Sequence, residues 1–121
     1  MARILVIDDS PTDLHAIKAI LEPEGHQLIE AGDGEQGIEK ARGSRPDLIL
    51  MDIVMPGMNG FQATRRLNRD ADTASIPVIM VSSKDQATDR IWAKRQGAVD
   101  YIAKPVEKEE LLEKIRAALG G

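Results

Sequence analysis

Two short apolar runs end in acid. Ile4-Leu-Val-Ile7 runs into Asp8 and Asp9, and Leu48-Ile-Leu-Met51 runs into Asp52. Runs this short and this apolar read as strands buried on both faces. An acid at the end of such a strand is pushed out at the carboxyl edge of the sheet, where open α/β sheets hold their ligands. Two more runs end on other polar groups: Val78-Ile-Met-Val81 on Ser82, and residues 99–103 on Lys104-Pro105. Three carboxylates brought together repel one another and need a cation. An all-oxygen donor set favours a hard ion, and Mg²⁺ binds through one or two carboxylates while keeping waters and adding phosphate oxygens. Asp8, Asp9 and Asp52 against Mg²⁺ and Lys104 leave a site that is about neutral. It could accept a phosphoryl group whose oxygens meet Mg²⁺, the Lys104 ammonium and the Ser82 hydroxyl. An Asp carboxylate is a competent nucleophile, and phosphoryl transfer needs mainly positioning and charge neutralisation.

Each of these residues alone has a commoner explanation. A lone Asp after a strand is a turn or cap former, Ser82 a loop hydroxyl and Lys104 a surface charge. Their recurrence at the same ends of successive strands is what points to a shared site.

The elements that must position them alternate strand and helix. The first strand spans 3–8. Ser10-Pro11 opens a helix, with Ser10 as N-cap and Asp13 completing a capping-box pattern; Leu14, Ile17 and Leu21 repeat at helical spacing, and the helix ends near Pro23-Glu24-Gly25. A second strand, 26–31, is interrupted by Gln27 and Glu30 and belongs at an edge. A helix over 34–43 turns Ile38 and Ala41 inward, and Pro46 precedes strand three, 47–52. Asn59 is an N-cap for a helix over 60–70 with Phe61 and Leu67 inward. Strand four, 78–81, leads to a helix over 86–96 that stops at Gly97. Strand five, 99–103, precedes a helix over 107–119 that buries Leu111, Leu112, Ile115 and Leu119. Five strands alternating with five helices predict an α/β fold, a doubly wound parallel sheet with right-handed crossovers. In strand order 2-1-3-4-5 the first and third strands are neighbours at the switch point, and the polar strand ends converge.

The chain has 121 residues, a length that suits one domain, and no cysteine, which excludes disulfides and thiolate sites and fits a reducing compartment such as the cytoplasm. A net charge of −4 argues against nucleic acid as a partner, and no apolar run is long enough to insert in a membrane. Local basic clusters, Arg65-Arg66-Arg69 and Arg90-Lys94-Arg95, read as solvated helix faces. No linker or repeat is visible, so one domain over 1–121 without an attached output domain is expected.

These residues resemble the receiver domains of bacterial two-component response regulators. The resemblance rests on Asp8-Asp9, on Asp52 followed by Met55-Pro56-Gly57 and Asn59-Gly60, on Ser82, on Tyr101 and on Lys104-Pro105. It implies that Asp52 takes a phosphoryl group from a phosphohistidine on a sensor histidine kinase or phosphotransfer domain. It also implies that Mg²⁺ is held by Asp9, Asp52 and the Val54 carbonyl, with Asp8 helping, and that Lys104 and Ser82 contact the phosphoryl oxygens. Tyr101 is implied to move inward and alter the face of the fourth helix, fifth strand and fifth helix, and Lys104-Pro105 to be cis. Ser82 departs from the commoner Thr by a methyl group, and Val54 and Lys84 stand where receivers tune phosphoryl lifetime. A narrower likeness, through residues 51–65, 84–86 and 92–97, is to stand-alone regulators of twitching motility. It implies a chemotaxis-like pathway controlling type IV pili, a downstream motility protein as partner or a sink for phosphoryl groups, and a monomer that dimerises, if at all, on activation.

Rival signals are present. Gly32-Asp-Gly-Glu-Gln-Gly37 is a literal GxGxxG after a strand, with Asp52 at the end of the next one. Asp33 and Glu35 nevertheless sit where a pyrophosphate needs bare amides and a positive helix end. A flavin binder of the same architecture would want hydroxyls and amides after strand one, where Asp8-Asp9 repel phosphate. A phosphatase with an Asp nucleophile would need a second acid or a cap domain. The chain is therefore expected to catalyse only its own phosphorylation and dephosphorylation. Trp92, beside Ile91, has two open readings, half-burial or partner docking. Met55 and Met58 read as loop packing, His15 and His26 as surface or helix-end residues, and the stripe on the last helix as core.

Overall fold

The computed structural model describes residues 1–120. Five strands, β1 (Arg3–Ile7), β2 (Gln27–Ala31), β3 (Leu48–Met51), β4 (Val78–Ser82) and β5 (Asp100–Ala103), alternate with five helices, α1 (Pro11–Leu21), α2 (Gly34–Ser44), α3 (Gly60–Arg69), α4 (Ala87–Gln96) and α5 (Lys108–Ala118). All strand pairs are parallel, in order β2-β1-β3-β4-β5. This is the predicted architecture, with the weak second strand at an edge.

Alternation of side chains along each strand builds a core on either face. Leu5, Ile7, Ile49, Met51 and Met80 pack with Ile38 and Ala41 of α2, Ala63 and Leu67 of α3 and Ala93 of α4. Ile4, Val6, Leu48, Leu50, Ile79 and Val81 face the other way, onto Ile17 and Leu21 of α1 and Leu111 and Ile115 of α5. β3 and β4 are buried along their whole length, as continuous apolar runs require. β2 leaves Gln27 and Glu30 in solvent. Three inward expectations are corrected, the first at Leu112, which is only partly buried against the core. Leu119 is 38% exposed because it caps α5 from beyond its last turn. Phe61 is half-buried, since it follows directly on the α3 N-terminus and covers the core from its rim.

Caps fix where helices begin. The Ser10 side chain accepts the Asp13 N–H at 3.2 Å and Asn59 accepts the Gln62 N–H at 2.9 Å, while Gln62 returns a bond to the Asn59 N–H. Gly97 ends α4 in the left-handed region, at φ 109°. The box expected at α1 is only half made, because Asp13 turns its carboxylate elsewhere.

Two glycines set approach distances at the edge that carries the acids. A Cβ on Gly37 would lie 2.4 Å from Ile7 Cδ1, so the bare backbone lets α2 lie on β1. That role, together with Asp33 capping α2 by accepting the Gln36 N–H, replaces the dinucleotide reading of the GxGxxG. A Cβ on Gly60 would lie 2.0 Å from the Asp52 carbonyl oxygen, so only glycine lets α3 start against the end of β3.

The contrast with Gly43, where an added Cβ meets nothing within 4 Å, gives a test. Gly60→Ala should destabilise the fold by roughly 1–3 kcal/mol, because backbone must move. Gly43→Ala should stabilise it by about 0.5 kcal/mol through helix propensity. Urea unfolding of the two variants distinguishes them.

Candidate functional site

The site residues extend the sheet by one residue past its strands. Asp8 donates its N–H to the Ala31 carbonyl at 3.0 Å, Asp52 to the Ile7 carbonyl at 2.9 Å and Lys104 to the Ser82 carbonyl at 2.8 Å. The backbone of each is thus fixed by the neighbouring strand while its side chain leaves the edge. Asp8, Asp9 and Asp52 each present a carboxylate oxygen, and the three lie within 4.8 Å of one another. Asp8 and Asp52 are buried and Asp9 is exposed.

One ammonium serves this cluster. Lys104 Nζ lies 2.8 Å from Asp8 Oδ2, 2.7 Å from Asp13 Oδ2 and 3.5 Å from Asp52 Oδ1. The Lys104–Pro105 bond is cis, as the resemblance implies. Backbone amides supply the remaining donors: Ser10 N–H to Asp8 Oδ1 at 2.9 Å and Ile53 N–H to Asp52 Oδ1 at 2.9 Å. Asp13 is the member that sequence reasoning missed. Its type and place read as a helix cap, and its reach to Lys104 depends on how α1 lies on the sheet.

The electrostatics are unbalanced. Burial, then the charge of Asp8, pushes the Asp52 pKa up from 3.8 to about 6, against the pull of Lys104 and the Ile53 N–H. Burial pulls the Lys104 pKa down, but its hydrogen bonds to Asp13 and Asp8 outweigh that and hold it above the usual range. One full positive charge is thus shared among acids that outnumber it. The donor set is all oxygen and lacks positive charge, which fits a hard divalent cation such as Mg²⁺.

The Ser82 and Tyr101 side chains are neighbours and also share one residue, Lys84. Ser82, fully buried at the end of β4, accepts the Lys84 N–H on Oγ at 3.2 Å. The Tyr101 hydroxyl donates to the Lys84 carbonyl. The Tyr101 ring is only 4% exposed, with the Arg90 guanidinium 4.8 Å above it, and burial raises the phenol pKa. The ring expected to move inward is therefore inside in this structure. Val54 follows Ile53 in the loop after β3, with its side chain in solvent.

The remaining candidates lie apart from the acids. Trp92 is 51% exposed with the Arg95 guanidinium 5.6 Å from its ring. Met55 is core and Met58 packs on it, as loop packing predicts. His26 accepts the Ala2 N–H on Nδ1 at 3.1 Å, bracing the chain where β1 begins, and His15 is exposed.

Asp52 gives the metal-free fold a pH signature. Its folded pKa of about 6 exceeds the ordinary 3.8, so the folded state binds more protons between those values. Stability from this group is greatest below about pH 4, falls as pH rises through about 6, and stays low above. Asp52→Asn removes the penalty. In chelator, the variant should exceed wild type by about 2 kcal/mol at about pH 7.5, with the gap closing towards about pH 4. Saturating Mg²⁺ should stabilise wild type more than the variant. Urea unfolding across pH reads both.

Comparison with known proteins agrees with this geometry. Residues 4–116 match the response regulator receiver domain. The chain is 58% identical to protein PilH of Pseudomonas aeruginosa over 121 residues, covering all of both chains. Its structure is similar to that of the chemotaxis protein CheY4 of Vibrio cholerae, with a TM-score of 0.92 and 28% identity over 98% of this chain and 99% of that one. The receiver domain of the sensor histidine kinase PA1611 of Pseudomonas aeruginosa, which has a magnesium ion coordinated in its active-site cleft, gives a TM-score of 0.91 at 30% identity over 99% and 98%. On fold, acid cluster and sequence together, the chain belongs to the response regulator receiver domain family.

Proposed function

We propose that the chain is a phosphoacceptor switch in which Asp52 takes a phosphoryl group from a phosphohistidine of a sensor histidine kinase or phosphotransfer domain. The observation that carries it is the meeting of Asp8, Asp9 and Asp52 around one shared lysine, with Asp52 starved of positive charge. Asp8 has both oxygens engaged, by the Ser10 N–H and by Lys104. Asp9 lies out in solvent. Asp52 has Oδ1 engaged by the Ile53 N–H, which leaves Oδ2 to attack.

In the transfer, Asp52 Oδ2 forms a bond to phosphorus as the donor's P–N bond breaks. The imidazole leaves with the electron pair and picks up a proton. Hydrolysis reverses the charge change: water adds to phosphorus, the P–O bond to Asp52 breaks, and inorganic phosphate leaves. Asp8, Asp9, Asp52 and the Val54 carbonyl would hold Mg²⁺, which supplies positive charge where phosphoryl oxygens gather. Lys104 supplies a further positive charge from the end of β5 at the same sheet edge. The Ser82 hydroxyl, buried on the strand between those of Asp52 and Lys104, can donate to a phosphoryl oxygen. Ser82 Oγ also accepts the Lys84 N–H, and the Lys84 carbonyl accepts from Tyr101, so a shift of the Ser82 side chain towards a phosphoryl oxygen would be felt at both. Ser82 and Tyr101 are coupled through that one residue, so occupancy at Asp52 would shift the equilibrium of the α4–β5–α5 face.

The likeness to PilH supports a place in a chemotaxis-like pathway controlling type IV pili and twitching motility, in the cytoplasm. The output would pass to a motility protein docking on the switched face, or consist in draining phosphoryl groups from a shared kinase. No helix among the described residues is long and apolar enough to cross a membrane.

Intact-protein mass after incubation with Mg²⁺ and acetyl phosphate tests the acceptor. Wild type should gain one phosphoryl group, and Asp52→Asn, or wild type under chelation, should gain none. An adduct on the variant, or none on wild type after fast quenching, would overturn the assignment.

A further inference from the structure

Asp13 plays no part in the transfer described above, yet it makes the shortest contact to Lys104, 2.7 Å from Oδ2 to Nζ. An ammonium has three donors. Asp8 and Asp13 take two of them at charge-assisted distances, while Asp52 is left at 3.5 Å. The cluster spends its one cation on two acids that are not the acceptor.

No cap hydrogen bond of α1 uses the Asp13 carboxylate, which is left with the weaker attraction of a first-turn acid for the helix N-terminus. Ser10 caps α1 by accepting the Asp13 backbone N–H, which any residue at 13 supplies. The return bond of a capping box would take the Ser10 N–H, and Asp8 Oδ1 takes that instead. The Asp13 side chain is 39% exposed, against 12% for Lys104 and 3% for Asp8. Water can therefore replace Lys104 at Asp13, whereas opening the contact with Asp8 would strand a buried charge. Of the two bonds that hold the ammonium, the one to Asp13 is built to open.

We propose that Asp13 is a positioning residue that holds Lys104 back from Asp52 in the unphosphorylated chain and yields it when a phosphoryl group arrives. The proposal rests on Asp52 being the acceptor. Phosphoryl oxygens and the Asp13 carboxylate compete for one ammonium, and Asp13 also offsets the positive charge of that ammonium. Both effects disfavour the phosphorylated state. Asp13 thereby keeps the switch off at low donor supply and shortens the life of the on state.

The test follows capture from acetyl phosphate with Mg²⁺, in which Asp52 Oδ2 bonds to phosphorus, the P–O bond to the acetyl group breaks, and acetate leaves. Intact mass gives the capture rate, and the decay of the adduct after donor removal gives its lifetime. Asp13→Asn and Asp13→Ala should each speed capture and lengthen lifetime, by roughly three- to tenfold in occupancy at fixed donor. Asp13→Glu, which can still reach Lys104, should stay near wild type. Glu39→Gln, an exposed charge change on α2, should match wild type and control for net charge. A packing role alone would not separate Asn from Glu in this way. Unchanged or slowed capture in both Asp13→Asn and Asp13→Ala, with an adduct still formed, would overturn the role of Asp13 and leave Asp52 as acceptor. No adduct on any chain, wild type included, would overturn the acceptor assignment and this proposal with it.

Discussion

The molecule is organised around a repulsion. Three carboxylates within 4.8 Å of one another repel by about 3 kcal/mol per pair at an effective dielectric of about 20. The backbone cannot move apart to relieve this, because Asp8 and Asp52 are pinned by backbone bonds to adjacent strands. Lys104 offsets part of it, and its position is fixed in the same way by the Ser82 carbonyl. The sheet thus holds the acids and their counterion in place before any ligand arrives, as preorganised electrostatics requires.

The surrounding elements serve that constraint. α3 begins against Asp52 because residue 60 has no side chain. α2 lies close over β1 because residue 37 has none. The cost shows at Asp52, whose raised pKa records a carboxylate held in a less favourable place than water. On the proposed role of Asp52, function and stability oppose each other at this position, a common trade-off where a site must stay reactive.

Much of this was legible in the sequence because position in a strand marks position in space. An acid, a hydroxyl or a lysine that ends a buried apolar run lies at the sheet edge, and the strand order brings those edges together. Asp8, Asp52, Ser82 and Lys104 could be placed on that ground, and Asn59 and Gly97 on the known chemistry of helix ends. What was not legible depended on three-dimensional aim. Asp13 looks like a cap until the tilt of α1 brings it to a lysine 91 residues away. The bridge from Ser82 to Tyr101 runs through the backbone of Lys84, and backbone atoms leave no mark on a sequence. The inward Tyr101 ring is a choice of rotamer, and the exposure of Leu119 follows from where the last helix stops.

The central claim is that Lys104 and a divalent cation answer the same excess of negative charge. Calorimetric titration of Mg²⁺ into wild type and Lys104→Met, at about pH 8 and without a phosphodonor, tests it directly. Methionine keeps most of the apolar stem and removes the ammonium. The account predicts that one Mg²⁺ binds wild type and that the variant binds it about tenfold more tightly, since a competing positive charge has gone. Binding to the variant that is unchanged or weaker would contradict the account, because Lys104 would then be supporting the metal site instead of sharing its charge.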